Sequence, residues 1–185
     1  MVVFWIIWIT WILSEILLNR FLRSGSGDKK NQDKGSLGFM WIMIVLGISA
    51  SIFIAFKTRF PIGSGLFIPY IGLLLVVAGM TLRFISVFTL GKMFTVDVTI
   101  RENHQIKTDG VYRYIRHPSY TGSLLSFTGL GLNWNNWLSL ITLFVLITIS
   151  FIYRIRVEEK LLTGQFGSKY LDYMKKTYRL LPWIY

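Results

Sequence analysis

Residues 110–122, GVYRYIRHPSYTG, and the later run Arg154-Ile155-Arg156-Val157-Glu158-Glu159 decide how this chain is read. Each sets charge at the edge of oily sequence, and the apolar stretch between them is interrupted by Asn133-Trp134-Asn135-Asn136. Hydrocarbon tolerates charge only where it is paired or wet. The simplest geometry is a helical hairpin that leaves one membrane face and returns to it. Such a hairpin brings Arg116-His117 and Glu158-Glu159 together.

Working outward, the rest of the chain is equally oily. Of 185 residues 53% are hydrophobic, and the mean hydropathy of +0.52 reflects concentration into blocks. Residues 2–18, 37–56 and 66–90 each approach the roughly 20 residues that cross a bilayer core. Residues 118–132 and 137–153 are shorter and either span thin membrane or dip into it. The expected fold class is an all-α integral membrane protein with about five transmembrane helices, the last two a short helical hairpin, and a cytoplasmic helical cap. A water-soluble bundle is excluded, because nearly charge-free blocks leave too little polar surface. The first block lacks the basic leader of a cleaved signal peptide, so it is read as a retained helix. Cysteine is absent, which removes disulfides and thiolate metal sites.

The formal net charge of +11 invites a nucleic-acid reading, and its distribution argues against one. All but three of the 20 basic residues follow the first, third and last oily blocks. The exceptions are Lys57, Arg59 and Arg83. This is the positive-inside pattern, with the C-terminus in the cytoplasm and anionic headgroups as partners of the basic face. Residues 24–36 read as a flexible Gly/Ser-rich loop. Residues 94–100 look extended, and Asp109-Gly110 marks a turn. A polar helix is expected over 155–166, broken at Gly167, with a second over 169–177.

Pro118 suits the first turn of the fourth oily helix, where its missing N–H costs nothing. His117 then sits at a helix start, where backbone N–H groups and the positive dipole end favour an anion. Adjacent Glu158 and Glu159 point about 100° apart on a helix. One can pair with Arg116 and the other can receive a cationic ligand. Blander alternatives remain open at this level: an interfacial basic-aromatic anchor, a solvated helix face, an Arg83 that snorkels, a Glu15 paired with Arg20. Metal ligation is not expected, since two histidines and scattered acids lack ligand spacing.

Taken together, residues 104–112 (HQIKTDGVY), Arg116-His117-Pro118-Ser119-Tyr120-Thr121-Gly122, Arg154 with Glu158-Glu159, and Phe166-Gly167 followed by Tyr170, Tyr173 and Pro182 resemble the isoprenylcysteine carboxyl methyltransferase family. Phospholipid methyltransferases share parts of the pattern. The resemblance covers roughly residues 83–185. It implies a small helical membrane enzyme using S-adenosylmethionine, a single domain with three transmembrane helices in 1–90 and a cofactor-binding region in 91–185. Carried over by position, His104, Gln105, Ile106, Lys107, Tyr112, His117, Pro118, Ser119 and Tyr120 line the cofactor pocket. Glu158 meets the cofactor, and Arg154 faces the reacting group of a membrane lipid or lipid-modified acceptor. Lys107 departs from the usual apolar residue, so only its backbone is expected to serve. Asp97 is a further candidate contact.

The residue chemistry is compatible with this. Glu158 suits the cationic part of such a cofactor, and the helix start at His117 suits its carboxylate. Arg154 can steer an anionic head, and Glu159 or His117 can act as base if the acceptor needs one. A membrane reductase using NADPH on a sterol or other enone is the alternative. It also carries His-Pro-x-Tyr, but it lacks the paired acids and prefers an acid where Ser123 stands. A non-catalytic lipid-binding protein is the third reading.

Overall fold

The computed structural model describes residues 2–21, 33, 35–95 and 105–182. The regular structure among them is helical: α1 (Val2–Phe21), α2 (Ser36–Lys57), α3 (Phe67–Leu90), α4 (Pro118–Asn133), α5 (Trp137–Phe166) and α6 (Ser168–Lys176). Two short 3-10 turns, Gly91–Met93 and Gly110–Arg113, lie between α3 and α4. By length and composition, α2, α3 and α5 are able to cross a membrane.

The first arm of the hairpin is as short as expected, and the second is longer. At 16 residues α4 is about 24 Å long, short of a hydrocarbon core of about 30 Å. By contrast α5 runs unbroken for 30 residues, about 45 Å. The oily stretch 137–153 and the polar helix read over 155–166 are therefore one helix. No Gly or Pro lies between Tyr153 and Gly164 to divide it, and the chain turns at Gly167, whose φ is 54°.

Large apolar side chains such as Phe53, Phe56, Leu74 and Phe88 point outward, while small and hydroxylated residues face inward. In lipid, apolar surface gains nothing by hiding, so close backbone approach and hydroxyl bonds hold helices together. The α3–α4 seam shows this. A Cβ on Gly122 would lie 2.6 Å from Gly79 O, and one on Gly72 would lie 2.6 Å from Gly129 O. Between α2 and α5, Ser51 Oγ and Ser139 Oγ meet at 2.7 Å, and Ser139 Oγ donates to Ser51 O at 2.8 Å. The apolar core gathers Trp8, Trp11, Ile44, Val76, Phe127, Leu143, Ile147 and Phe151. Helix α1 packs on α3.

Both ends of the bundle are stitched by polar groups. At one end Asn135 adopts φ 45°, a left-handed conformation that Asn tolerates. Its side chain donates to Gly63 O at 2.8 Å and accepts from the N–H groups of Ile62 and Gly63. Asn136 caps α5 through the Ser139 N–H and donates to Thr58 O. At the other end, residues 177–180 run parallel to 114–117: Tyr178 N–H donates to Tyr114 O, Arg116 N–H to Tyr178 O and His117 N–H to Arg179 O. The Tyr173 hydroxyl donates to Tyr112 O at 2.6 Å, and the Tyr112 hydroxyl to Ser86 O at 3.2 Å. The turn before α4 is thereby pinned between α3 and α6.

Candidate active site

A cavity of 330 Å³ opens where α1, α2, α3, α4 and α5 meet the turn before α4. Arg154 and Glu158, four residues apart on α5, lie on one helix face, and both form its wall. Gln105, Ile106, Lys107, Tyr112, His117, Ser119 and Tyr120 share that wall, joined by Tyr170 and Tyr173 from α6. The remaining wall is mostly hydrocarbon, including Trp11, Ile12 and Ile16 of α1 and Met40, Ile44 and Ile48 of α2, with Glu15, Asn19, Arg83 and Ser123 among it. One space therefore joins a charged compartment to an oily one.

Glu158 accepts from the Tyr120 hydroxyl at 3.1 Å, and its side chain is 30% exposed. His117 is buried, with Nδ1 3.8 Å from Glu158 Oε1. Its Nε2 faces Glu159 Oε1 at 3.4 Å. Burial, with the Glu158 charge adding for Tyr112 and Tyr170, pushes the phenols of Tyr112, Tyr170 and Tyr173 above the usual tyrosine range. These hydroxyls are neutral at physiological pH and able to donate.

Several expectations change. Glu159, read as a base, is not on the cavity wall. Its oxygens are taken by Arg116 Nε at 3.0 Å and Arg179 Nε at 2.8 Å. Arg116 Nη1 in turn donates to the carbonyls of Met174 and Thr177. A carboxylate held between two guanidinium groups is a weak proton acceptor. Glu159 instead knits α5, the start of α4 and residues 174–179 into one unit. The sequence-based pairing of one acid with Arg116 is what the structure shows.

Pro118 sits at the first position of α4, buried, and is not part of the wall. The helix start also offers an anion less than expected. His117 N–H donates to Arg179 O, Tyr120 and Thr121 N–H donate to His117 O, and Pro118 has no N–H. Lys107 lines the cavity while its ammonium pairs with Asp109 at 3.1 Å. His104 and Asp97 lie outside the described residues, as do most of the extended-looking run after Thr95 and the C-terminal aromatics.

Arg83 does not snorkel to the surface. Its Nε lies 2.7 Å from Glu15 Oε1 on α1, and its Nη1 donates to Ser119 Oγ at 2.8 Å. Glu15 thus pairs with Arg83, and both border the cavity. Arg154, 1% exposed, donates from Nη1 to Asp33 Oδ1 at 2.8 Å and to Ser36 Oγ at 2.8 Å. Asp33 caps α2: Oδ1 accepts from Ser36 Oγ and Oδ2 from the Leu37 N–H. Burial pushes the Asp33 carboxyl up, but the Ser36 hydroxyl, the Arg154 charge and the Leu37 N–H together hold it below the usual carboxylate range. Neither Asp33 nor the Glu15–Arg83 pair was identified from sequence. The signal available was an acid at a helix start (Asp33) and opposite charges inside two oily blocks (Glu15 and Arg83).

Fold and cavity define a membrane-embedded helical protein in which a charged compartment opens onto an oily one. The model of the Isoprenylcysteine carboxyl methyltransferase (ICMT) family matches residues 71–164, just over half of the chain, and the chain belongs to that family. It is 35% identical over 120 residues to the "Probable protein-S-isoprenylcysteine O-methyltransferase" of Oryza sativa subsp. indica, covering 64% of this chain and 63% of that one. To "Protein-S-isoprenylcysteine O-methyltransferase B" of Arabidopsis thaliana it is 35% identical over 115 residues, covering 61% and 58%. The solved structure of a eukaryotic intramembrane Ras methyltransferase, ICMT, superposes with a TM-score of 0.60 at 27% identity, over 80% of this chain and 51% of that one. The matches therefore span less than two thirds of each of these relatives. Arg83, Arg154, Glu158 and Glu159 lie inside the family match, whereas Glu15, Asp33 and Ser36 precede it.

Proposed function

We propose that this chain is an integral-membrane methyltransferase that uses S-adenosylmethionine and acts on a lipid-like acceptor bearing a carboxylate, as in prenylcysteine carboxyl methylation. The observation that carries the reading is the continuity of the cavity, with Arg154 and Glu158 at its charged end and the α1–α2 hydrocarbon walls at the other. Relatives named as isoprenylcysteine O-methyltransferases support it.

The residues present fit the cofactor. Glu158 offers a negative charge on the wall, and Gln105, Ser119 and Tyr120 offer polar side chains beside it. Gln105, Ile106, Lys107, Tyr112, His117, Ser119, Tyr120 and Glu158 would hold it; His104 joins them on sequence alone. When bound, S-adenosylmethionine supplies a methyl group on a cationic sulfonium. Glu158 favours that cation by its field, Tyr120 fixes Glu158, and Tyr170 and Tyr173 shield the compartment from water. Arg154 orients the acceptor's carboxylate, so alignment is the protein's main contribution. Methylating a carboxylate oxygen releases no proton, so the chemistry needs no general base. That agrees with a positioning role for Glu159.

In the membrane, the positive-inside charge distribution sets the C-terminus and the polar compartment toward the cytoplasm, with α6 as a cap. Helix α1 joins α2, α3 and α5 as a span, and α4 inserts partway. The Arg83–Ser119 hydrogen bond and the Asp33–Arg154 pair support treating 1–90 and 91–185 as one domain. Membrane lipids or a lipid-modified acceptor are the expected partners.

Calorimetry in detergent with S-adenosylmethionine and, separately, NADPH tests the reading. Binding of S-adenosylmethionine alone is expected. Preference for NADPH would overturn it in favour of a reductase. Lipid extracts incubated with isotopically labelled cofactor would then identify the acceptor by mass spectrometry.

A further inference from the structure

Arg154 has the most enclosed charge in the cavity wall, and its Nη1 is met by a carboxylate from 121 residues earlier in the chain. That acid, Asp33, is not itself part of the wall. It reaches Arg154 through Oδ1, while its cap on the Leu37 N–H runs through Oδ2. The contact with Arg154 is therefore separable from the contact that starts α2. Ser36 Oγ bridges the two groups, donating to Asp33 and accepting from Arg154.

We infer that Asp33 is a built-in stand-in for the acceptor's carboxylate: it occupies Arg154 while the acceptor is absent and yields that place when a carboxylate arrives. The inference rests on the function proposed above. A buried guanidinium that gives up a carboxylate in direct contact is disfavoured, so exchange favours a guest that itself brings a negative charge. Acceptors with an alcohol or amide head make the exchange less readily, and Asp33 thereby sets a preference for carboxylates. In the transfer, the acceptor's carboxylate oxygen forms a bond to the methyl carbon while the sulfur–carbon bond breaks. The sulfonium's positive charge and the carboxylate's negative charge disappear together, and no proton moves. The ester left behind is neutral and no longer balances Arg154. Return of Asp33 to the guanidinium then displaces the product.

The test uses the full chain in detergent, with an N-acetylated S-isoprenyl cysteine and its carboxamide as probes. Asp33→Asn removes the charge and keeps a good helix-capping oxygen. The variant is expected to bind the acid roughly tenfold more tightly than the parent, with carboxamide and S-adenosylmethionine affinities unchanged. Acid binding that is equal or weaker in the variant overturns the inference, since it makes Asp33 a fixed support for Arg154. If the unmodified chain neither binds nor methylates the acid, the proposed function itself fails. Asp33→Ser repeats the measurement should the Asn variant not retain S-adenosylmethionine binding.

Discussion

Glu158 and Glu159 are neighbours in sequence, and replacing each by Gln is expected to damage different properties. Glu158 faces the cavity, and Glu159 faces two arginines. Two unit charges about 4 Å apart at an effective dielectric near 20 attract by roughly 4 kcal/mol. The Glu158 side chain is 30% exposed and shared with Tyr120, which discounts that figure to about a third of it, about 1.4 kcal/mol as a floor. Glu158→Gln is therefore expected to weaken S-adenosylmethionine binding at least ~tenfold while leaving thermal stability nearly unchanged. Removing one side of a buried ion pair costs about 3–5 kcal/mol. Glu159 and Arg116 are enclosed at 6% and 7% side-chain exposure, whereas Arg179 is 29% exposed, and Gln keeps one acceptor oxygen. The low end, about 3 kcal/mol of stability, is expected for Glu159→Gln. Calorimetry with the cofactor and thermal denaturation in detergent read the two effects separately. If Glu158→Gln unfolds the chain while Glu159→Gln stays stable and loses cofactor, the assignment of the two acids is reversed and the reasoning fails.

Gly122→Leu places a side chain against Gly79 O and the Arg83 backbone, and is expected to abolish the folded state, seen as loss of a monodisperse peak on size exclusion. Arg83→Ala is expected to cost both α1 attachment and the support of Ser119. Turnover should fall and α1 should become protease-sensitive, whereas Arg83→Lys should restore docking in part; resistance equal to that of the parent counts against the link. Arg154→Ala is expected to lose turnover while keeping cofactor affinity, and equal loss of both would assign Arg154 to the cofactor instead. Because the Asp33 carboxyl is held below its usual range, its contribution to stability is present above pH of about 4 and is lost as pH falls through the lowered value. Hydrogen exchange at the Leu37 amide should therefore quicken in acid, and Asp33→Asn should remove that pH dependence.

The helices were legible because each oily block carries its own length and its own punctuation. Pro118 opened α4 where expected, and Asp109-Gly110 marked the turn before it. The convergence of His117 with the twin acids followed from the hairpin alone. The length of α5 was not legible, because hydropathy changes at Tyr153 while helix propensity does not, and a helix leaving a membrane needs no break. Nor was the fate of Glu159, since Arg179 approaches it only through the parallel pairing of residues 114–117 with 177–180. Glu15 and Asp33 find their arginines across the bundle, at separations for which sequence spacing carries no information. Asp33 was also hidden by its setting, a Gly/Ser-rich run that composition reads as slack.

The paired acids of α1 and the α2 cap have a bearing on how such enzymes can be recombined. Arg83 and Arg154 fall inside the stretch that the family model matches, but carboxylates that pair with them come from before it. The first two helices are therefore not an interchangeable anchor. A chimera that grafts the leading helices of another membrane protein onto residues 71–185 would strand two positive charges in a low-dielectric wall unless the donor supplies acids in matching register. Swaps preserving both acids should yield foldable hybrids, and swaps lacking both should be less stable, read as a lower thermal midpoint in detergent.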